Sequence, residues 1–318
     1  LCGRAGVYQW FLPKEWGGQD WNELDIVRGY LRLSAACLTT TFIITQRSGA
    51  CRRIADSVNG DIKKQLLPGL ASGTTFATVG ISHLTTSRRH LAGPALRAVA
   101  RSDGFILDGY SPWVTGASQA DVVVLGAQLD DGRQILVAVP SNTEGVSVPA
   151  PAELVGLNAS QTGEIRLDQV RLGQEWLLAG PEENIMKGAA GAKTGGLQTS
   201  TLAIGLSSSA VNLLERESER RPDLQRPAAE LQAEVGALQR DLLAIASGNE
   251  ICTNETLRAR ANSLVLRATQ AALAAAKGAG YVVGHPAGRM AREALFFLVW
   301  SCPQPVMQAN LCELAGLE

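Results

Sequence analysis

The order in which the hydrophobic periodicity changes along the chain constrains the fold more than any single motif. From Trp21 onward, apolar residues recur at three- and four-residue spacing, which predicts helices, the last of them ending at Pro68 and Gly69. From about Thr75 the pattern changes to short β-rich runs, and after about Pro181 the helical period returns. A doubly wound nucleotide-binding fold would alternate strands and helices, so this order argues against a Rossmann fold.

The predicted fold class is α+β, in three parts. Residues 1–74 form an N-terminal helical domain, residues 75–180 a central antiparallel β-sheet or barrel domain, and residues 181–318 a C-terminal antiparallel helical bundle. The turn pairs Asp103-Gly104 and Asp131-Gly132 separate β-rich runs and predict hairpins. Ala and Ser dominate the apolar faces of the C-terminal helices, which permits the close packing of a bundle.

Composition and charge exclude several classes of function. The 318 residues are 46% hydrophobic and 19% charged, which is enough to bury a sizeable core, and the formal net charge is -1. Such a chain lacks the basic surface that nucleic acid or an anionic membrane selects. The longest strongly apolar cluster, ALFFLVW at 294–300, is far shorter than the ~20 residues of a membrane span, and the first residues lack a signal-peptide pattern. We therefore expect a soluble, cytoplasmic protein without a nucleic-acid partner.

Metal-binding and phosphate-binding patterns are also absent from the sequence. The six cysteines form no C-x-x-C pair, and the histidines His83, His90 and His285 are not spaced for ligation from one helix. The glycine-rich stretch GAAGAKTGG at 188–196 departs from a phosphate loop because Ala192 stands between glycine and lysine. We predict neither a metal site nor a disulfide scaffold.

The segment GYSPWVTGASQAD, residues 109–121, places an indole and a hydroxyl at the end of a predicted strand. Trp113 offers a large flat apolar surface, and Thr115, two residues on, is expected on the same face of the strand. Such a pair suits a flat ring with a polar rim. The alternative is a core tryptophan beside a strand threonine, and the segment alone does not decide between the two.

Six motifs follow one another along nearly the whole chain. They are LPKEWGG (12–18), KKQLLPGLASG (63–73), GFILDGYSPWVTGASQADVVVLGA (104–127), LNASQTGEIRLDQVRL (157–172), ERESERRPDLQRPAAELQ (215–232) and GAGYVVGHPAGRMARE (278–293). In this order they resemble the acyl-CoA dehydrogenase family of FAD-dependent flavoproteins, of which the chain would be a divergent member. The resemblance implies the three-part fold with a shortened N-terminal domain, a bound FAD, and oxidation of a CH–CH group in a small-molecule substrate such as an acyl-CoA. It also implies a homodimer or homotetramer, because the FAD site of the family uses two subunits.

The resemblance also assigns roles to residues around the flavin ring. Trp113, Val114 and Thr115 would line the ring, with the indole packed on it and the Thr115 hydroxyl at the flavin N5 edge. Ser82 falls near the position of a family threonine and would supply a hydroxyl to the pyrimidine edge. These four residues are the predicted flavin contacts.

Three further residues are predicted to contact the rest of the cofactor. Arg220, or its neighbour Arg221, falls where the family places an arginine that reaches the FAD pyrophosphate of a partner subunit. Gly278 and Gly280 would allow the adenine half of a partner's FAD to approach the backbone. The alternatives are a solvated charge for the arginine and a helix cap for the two glycines.

The departures from the family pattern bear on catalysis. The family's Thr-Glu-Pro loop is replaced by SHLTTSRRHLAGP at 82–94, and the position of the family's catalytic glutamate falls on Ser301. Serine has no pKa suited to removing a proton α to a thioester, so the catalytic base is unassigned, with Glu293 as the nearest carboxylate. Three readings stay open: a flavin oxidoreductase or monooxygenase that needs no carboxylate base, an acyl-CoA dehydrogenase with another base, and a non-catalytic binding or assembly subunit.

Overall fold

A computed structural model describes residues 1–85, 94–187, 196–300 and 302–317. The chain divides into two compact units. The first unit holds Leu1–Trp21, Ile43–Glu153 and Asn158–Thr194, and the second holds Asn22–Phe42, Leu154–Leu157 and Gly195–Glu318. The domain boundaries predicted at residues 74 and 180 remain predictions.

Ten α-helices occur in the described residues. They are α1 (Glu23–Ala36), α2 (Leu38–Ala55), α3 (Gly60–Ser72), α4 (Ser82–Thr85), α5 (Gln198–Ser218), α6 (Gln225–Ala246), α7 (Asn254–Gly280), α8 (Pro286–Ala294), α9 (Phe296–Val299) and α10 (Gln304–Leu314). Asn22 precedes α1 and Thr253 precedes α7, and the side-chain oxygen of each accepts a hydrogen bond from the backbone N–H three residues on. The N-terminal and C-terminal helices confirm the helical parts of the prediction.

Helix α3 does not stop where the sequence predicted. It continues through Pro68 and Gly69 and ends at Gly73, whose φ of 81° lies in the left-handed region that favours glycine. Pro68 removes one intrahelical hydrogen bond. Leu67 and Leu70 are fully buried on either side of it, and this burial holds the helix together across the proline.

The β-strands form one eight-stranded sheet. They are β1 (Ala77–Gly80), β2 (Leu96–Arg101), β3 (Gly104–Val114), β4 (Val122–Leu129), β5 (Gln134–Pro140), β6 (Val146–Ser147), β7 (Gly163–Gly173) and β8 (Leu177–Glu182). The spatial order is β6-β7-β3-β2-β4-β5-β8, with β1 paired to β4. The predicted hairpins β2–β3 and β4–β5 are both present.

The sheet is mixed rather than wholly antiparallel, which corrects the prediction. Strand β4 pairs in parallel with β1 and β2 and antiparallel with β5. Neither β1 nor β2 directly precedes β4 in the chain, and the intervening residues supply the long connections that parallel pairing needs. Because β4 is buried on both faces, its first six residues, VVVLGA, form a continuous run without polar alternation.

Two hydrophobic clusters cover the two faces of the sheet in the first unit. Val122 and Val124 pack with Leu67 in one cluster, whereas Val123 and Leu125 belong to the other. The separation follows from the strand period of two, which sends successive side chains to opposite faces.

Small residues allow close helix packing in the second unit. A Cβ atom built on Gly205 of α5 would lie 2.7 Å from the Ser34 Cβ of α1. The Ser34 hydroxyl donates a 2.7 Å hydrogen bond to the carbonyl of Leu202, so this buried polar group has a partner at the contact. This packing agrees with the prediction drawn from the Ala- and Ser-rich helix faces.

Two kinds of feature are missing from the part of the chain that the structure describes. None of its helices has the length and apolar character needed to cross a membrane. Within the same residues, no three His, Cys, Asp or Glu side chains lie together in a group able to hold a metal ion.

Candidate functional site

A β-bulge at the end of β3 turns Trp113 outward. Ser111 and Val114 are both fully buried although they lie three residues apart, because the β3–β7 pairing shifts register between them. Pro112 has no N–H to give to the ladder, and bulges are where strands tolerate proline. The indole of Trp113 keeps 47% of its surface exposed as a result. The end of β3 therefore presents an exposed aromatic ring on a bulge.

Thr115 does not share the outward face of Trp113, so that part of the prediction is wrong. The Thr115 side chain is fully buried, and its hydroxyl oxygen lies 3.0 Å from the hydroxyl oxygen of Thr162. That oxygen in turn lies 2.8 Å from the hydroxyl of Ser160. The Thr115 carbonyl accepts a 2.8 Å hydrogen bond from the hydroxyl of Thr78. This network was not predicted from the sequence. Its one local sign was the pair of hydroxyl residues two positions apart, Ser160 and Thr162, in LNASQTGEI.

Ser82 begins the short helix α4 directly after β1, and its side chain is partly buried. The Nε2 atom of the neighbouring His83 lies 2.7 Å from the carbonyl oxygen of Gly126. Burial lowers the pKa of His83 and therefore favours the neutral imidazole, and the hydrogen bond to Gly126 opposes this shift. Residues 86–93, which carry the departure from the family's loop, lie outside the described residues.

The two candidate phosphate-binding arginines have different surroundings. One Nη atom of Arg221 donates a 2.7 Å hydrogen bond to the carbonyl of Ala275, and the other lies 3.2 Å from the Asp223 carboxylate. Arg220 is exposed and has no side-chain hydrogen bond or ion pair with any residue that the structure describes. Arg221 is thus engaged in holding the fold, and Arg220 is the arginine available to a ligand.

The two candidate glycines also differ. A Cβ atom on Gly280 would lie 2.9 Å from both Ala276 and Leu273, so this glycine is required by packing inside the second unit. A Cβ atom on Gly278 would meet nothing within 4 Å. Beside it, Lys277 adopts a φ of 52° and interrupts the helical geometry of α7. Gly278 is therefore the glycine that offers open backbone at an exposed kink.

Of the two positions considered for the catalytic base, the structure describes only Glu293. Ser301 lies outside the described residues. Glu293 on α8 is only 4% exposed, and its carboxylate accepts a 3.4 Å hydrogen bond from Thr39. Burial raises the pKa of Glu293, and the nearby Arg289 and Arg292 oppose that rise. The Glu293 carboxyl is thus enclosed within the second unit, which does not favour it as a base for a substrate.

A second feature missed by sequence reasoning fixes the backbone just before position 301. Arg258 donates a 3.1 Å hydrogen bond to the carbonyl of Trp300, and Asn262 donates a 3.0 Å bond to that of Phe297. The two side chains, one turn apart on α7, also bond each other at 2.9 Å. Burial lowers the pKa of Arg258 to about 10. The segment that leads to position 301 is therefore anchored to α7.

Comparison with known proteins shows which family this chain resembles. Residues 80–170 match the family model described as acyl-CoA dehydrogenase, middle domain, and this stretch contains the bulge and the hydroxyl network. The chain is similar to acyl-CoA dehydrogenases at distant identity, as expected for a divergent relative of that family. It is 24% identical over 314 residues to a probable acyl-CoA dehydrogenase, YngJ, of Bacillus subtilis (strain 168), covering 92% of this chain and 82% of the relative.

Solved structures of glutaryl-CoA dehydrogenases share the fold of this chain. A glutaryl-coenzyme A dehydrogenase in complex with glutaryl-CoA superposes with a TM-score of 0.84 at 20% identity, covering 99% of this chain and 86% of that one. A glutaryl-CoA dehydrogenase from Mycobacterium smegmatis in complex with FADH2 also gives a TM-score of 0.84 at 19% identity, with coverage of 99% and 85%. These likenesses confirm the predicted fold class.

Proposed function

We propose that this chain, like the acyl-CoA dehydrogenases it resembles, is an FAD-dependent oxidoreductase that acts on the CH–CH group of a small acyl substrate such as an acyl-CoA. The observation that carries the proposal is the half-exposed Trp113 on the β3 bulge, within the segment that matches the family model. A large apolar ring fixed outward on a rigid strand is a suitable surface for a flat cofactor.

The described residues fit FAD at some of the predicted contacts. Trp113 presents its indole, Arg220 presents a guanidinium that pairs with none of the described residues, and Gly278 presents open backbone. A guanidinium suits a pyrophosphate because its N–H groups can donate two parallel hydrogen bonds. Thr115 does not fit in the same way, because its hydroxyl is buried and paired with Thr162.

In this proposal the chain supplies binding and orientation. FAD bound there would supply two-electron redox chemistry. Trp113 would cover one part of the ring and exclude water from it, and the buried Val114 would fix the backbone beneath the indole. None of the described residues is assigned as the proton acceptor, because the Glu293 carboxyl is enclosed against Thr39.

The assembly proposed is a homodimer or homotetramer in which Arg220 and Gly278 serve the FAD of a partner subunit. Tyr281, Val282 and Val283 support it, since these three consecutive apolar residues follow α7 and are all exposed. Exposed apolar patches of this kind mark contact surfaces. Light scattering coupled to size exclusion tests the proposal, and a monomer at micromolar concentration would contradict it.

The test of the activity is anaerobic titration of the FAD-loaded protein with acyl-CoAs of increasing chain length. Loss of the oxidised flavin absorption on addition of an acyl-CoA is the expected result. A Ser301→Glu variant, which restores the carboxylate of the family, should be bleached faster than the wild type if the missing base limits the reaction. Bleaching in neither protein would contradict the proposed activity. Turnover with a reductant and oxygen would then indicate a monooxygenase. Failure to bind FAD would indicate a binding or assembly subunit.

A further inference from the structure

The hydroxyl of Thr115 is committed within the protein. It lies 3.0 Å from the hydroxyl of Thr162, which lies 2.8 Å from that of Ser160, and all three side chains are buried. Thr162, in the middle of the row, can donate to one neighbour and accept from the other, and Thr115 at the end of the row is held by Thr162. For Thr115 to reach a ligand, it would have to leave Thr162 and turn out of a fully buried position.

The backbone around Thr115 is held by the same elements. The Thr78 hydroxyl on β1 donates to the Thr115 carbonyl at 2.8 Å. The N–H of Gly116 donates to the Ser160 carbonyl at 3.0 Å, and Gly116 takes a φ of 66°, which turns the chain away from β3. The corner after Trp113 is therefore tied to both β1 and the segment before β7.

We infer that Thr115 is a positioning residue in this chain, whose hydroxyl serves Thr162 and holds the corner, and that Trp113 alone of the pair contacts the flavin. Thr162 and Ser160 are then positioning residues too, acting through Thr115 on the direction of the indole. The inference rests on the proposed function, since it places a flavin against Trp113. It departs from the resemblance, which implies a hydrogen bond from the Thr115 hydroxyl to flavin N5.

The test is a double-mutant cycle with Thr115→Val, Thr162→Val and the double variant, each loaded with FAD. If the two hydroxyls serve each other, both single variants should weaken FAD binding by a similar factor of about two to ten, and the double variant no further. The flavin reduction potential and the positions of the absorption bands should stay at their wild-type values in all three. Thr115→Ser, which keeps the hydroxyl, should restore the affinity.

A hydroxyl that contacts flavin N5 would behave differently. Thr115→Val alone would then shift the reduction potential or the absorption bands while Thr162→Val left them unchanged, and this result would overturn the inference. Ser118→Ala is the matched control, because the Ser118 hydroxyl is exposed at the same corner and bonds only Gln161 among the described residues. It should leave affinity and spectrum unchanged.

Urea unfolding of the same variants without FAD separates the inference from the proposed function. The Thr115 and Thr162 substitutions should be non-additive in the free energy of unfolding, because both break the same hydrogen bond between these two residues. Additive losses would overturn the inference even if FAD binds. Absence of FAD binding in the wild type would instead contradict the proposed function, while the unfolding cycle would still decide whether the hydroxyls are paired.

Discussion

Truncation of Trp113 should weaken FAD binding far more than it weakens the fold. The indole is 47% exposed at the bulge, so a large part of its surface is free to cover a ring. An aromatic side chain carries about 150–250 Å² of surface, which leaves roughly 100 Å² available to a ligand. Burying that area contributes about 2.5 kcal/mol, and ring stacking adds about 0.5–1.5 kcal/mol. Trp113→Ala should therefore raise the dissociation constant of FAD by about 10²- to 10³-fold.

The matched control is Tyr110→Ala. Tyr110 lies on the same strand, three residues before Trp113, and is 44% exposed, so both substitutions remove a half-exposed aromatic ring from β3. Fluorescence titration with FAD gives the affinities, and urea unfolding gives the stabilities. Similar losses of stability with a loss of affinity confined to Trp113→Ala are expected. Equal FAD affinities in the two variants would refute the assignment of Trp113 as the flavin contact.

Three further predictions concern the second unit. Because burial raises the pKa of Glu293, the stability that this carboxyl contributes is full at low pH and is lost as pH rises through its folded-state pKa. Glu293→Gln should abolish this loss when urea unfolding is measured between pH 4 and 8. A variant with the same pH profile as the wild type would contradict the prediction. Arg220→Gln should weaken FAD binding in a salt-dependent way and leave the stability unchanged. Arg221→Gln should instead lower the thermal midpoint, because it removes the hydrogen bond to the Ala275 carbonyl. The reverse pattern would make Arg221 the ligand contact and Arg220 the structural residue. Gly205→Ala should cost about 1–3 kcal/mol in urea unfolding, because its Cβ would meet Ser34, and a neutral effect would refute the close packing.

The fold was predictable because the relevant signals are local. Helical spacing, β-rich runs and the turn pair Asp103-Gly104 each act over a few residues, so their order along the chain gave the helices and hairpins. The stop predicted at Pro68 was wrong because burial of Leu67 and Leu70 outweighs one lost hydrogen bond. The parallel pairing of β4 depends on strands far away in sequence, and no local pattern encodes it.

The candidate site was less predictable for the same reason. The sequence identified Trp113, but the strand period of two placed Thr115 on the same face. Trp113 lies within a bulge that exists only in the pairing of β3 with β7, and Thr115 lies beyond the end of β3, so the strand period does not hold between them. Pro112 was the one local sign of the bulge. The partnership of Thr115 with Thr162 joins residues 47 positions apart. Such a contact depends on tertiary structure that the spacing of motifs does not reveal.

The most direct test of the account is the visible absorption spectrum of the purified protein, recorded before and after incubation with FAD and repeated after denaturation to identify the released cofactor. One FAD per chain is expected, with absorption bands that are perturbed by the indole of Trp113 and are lost in Trp113→Ala. A protein that stays colourless after incubation with excess FAD and removal of the unbound cofactor would contradict it.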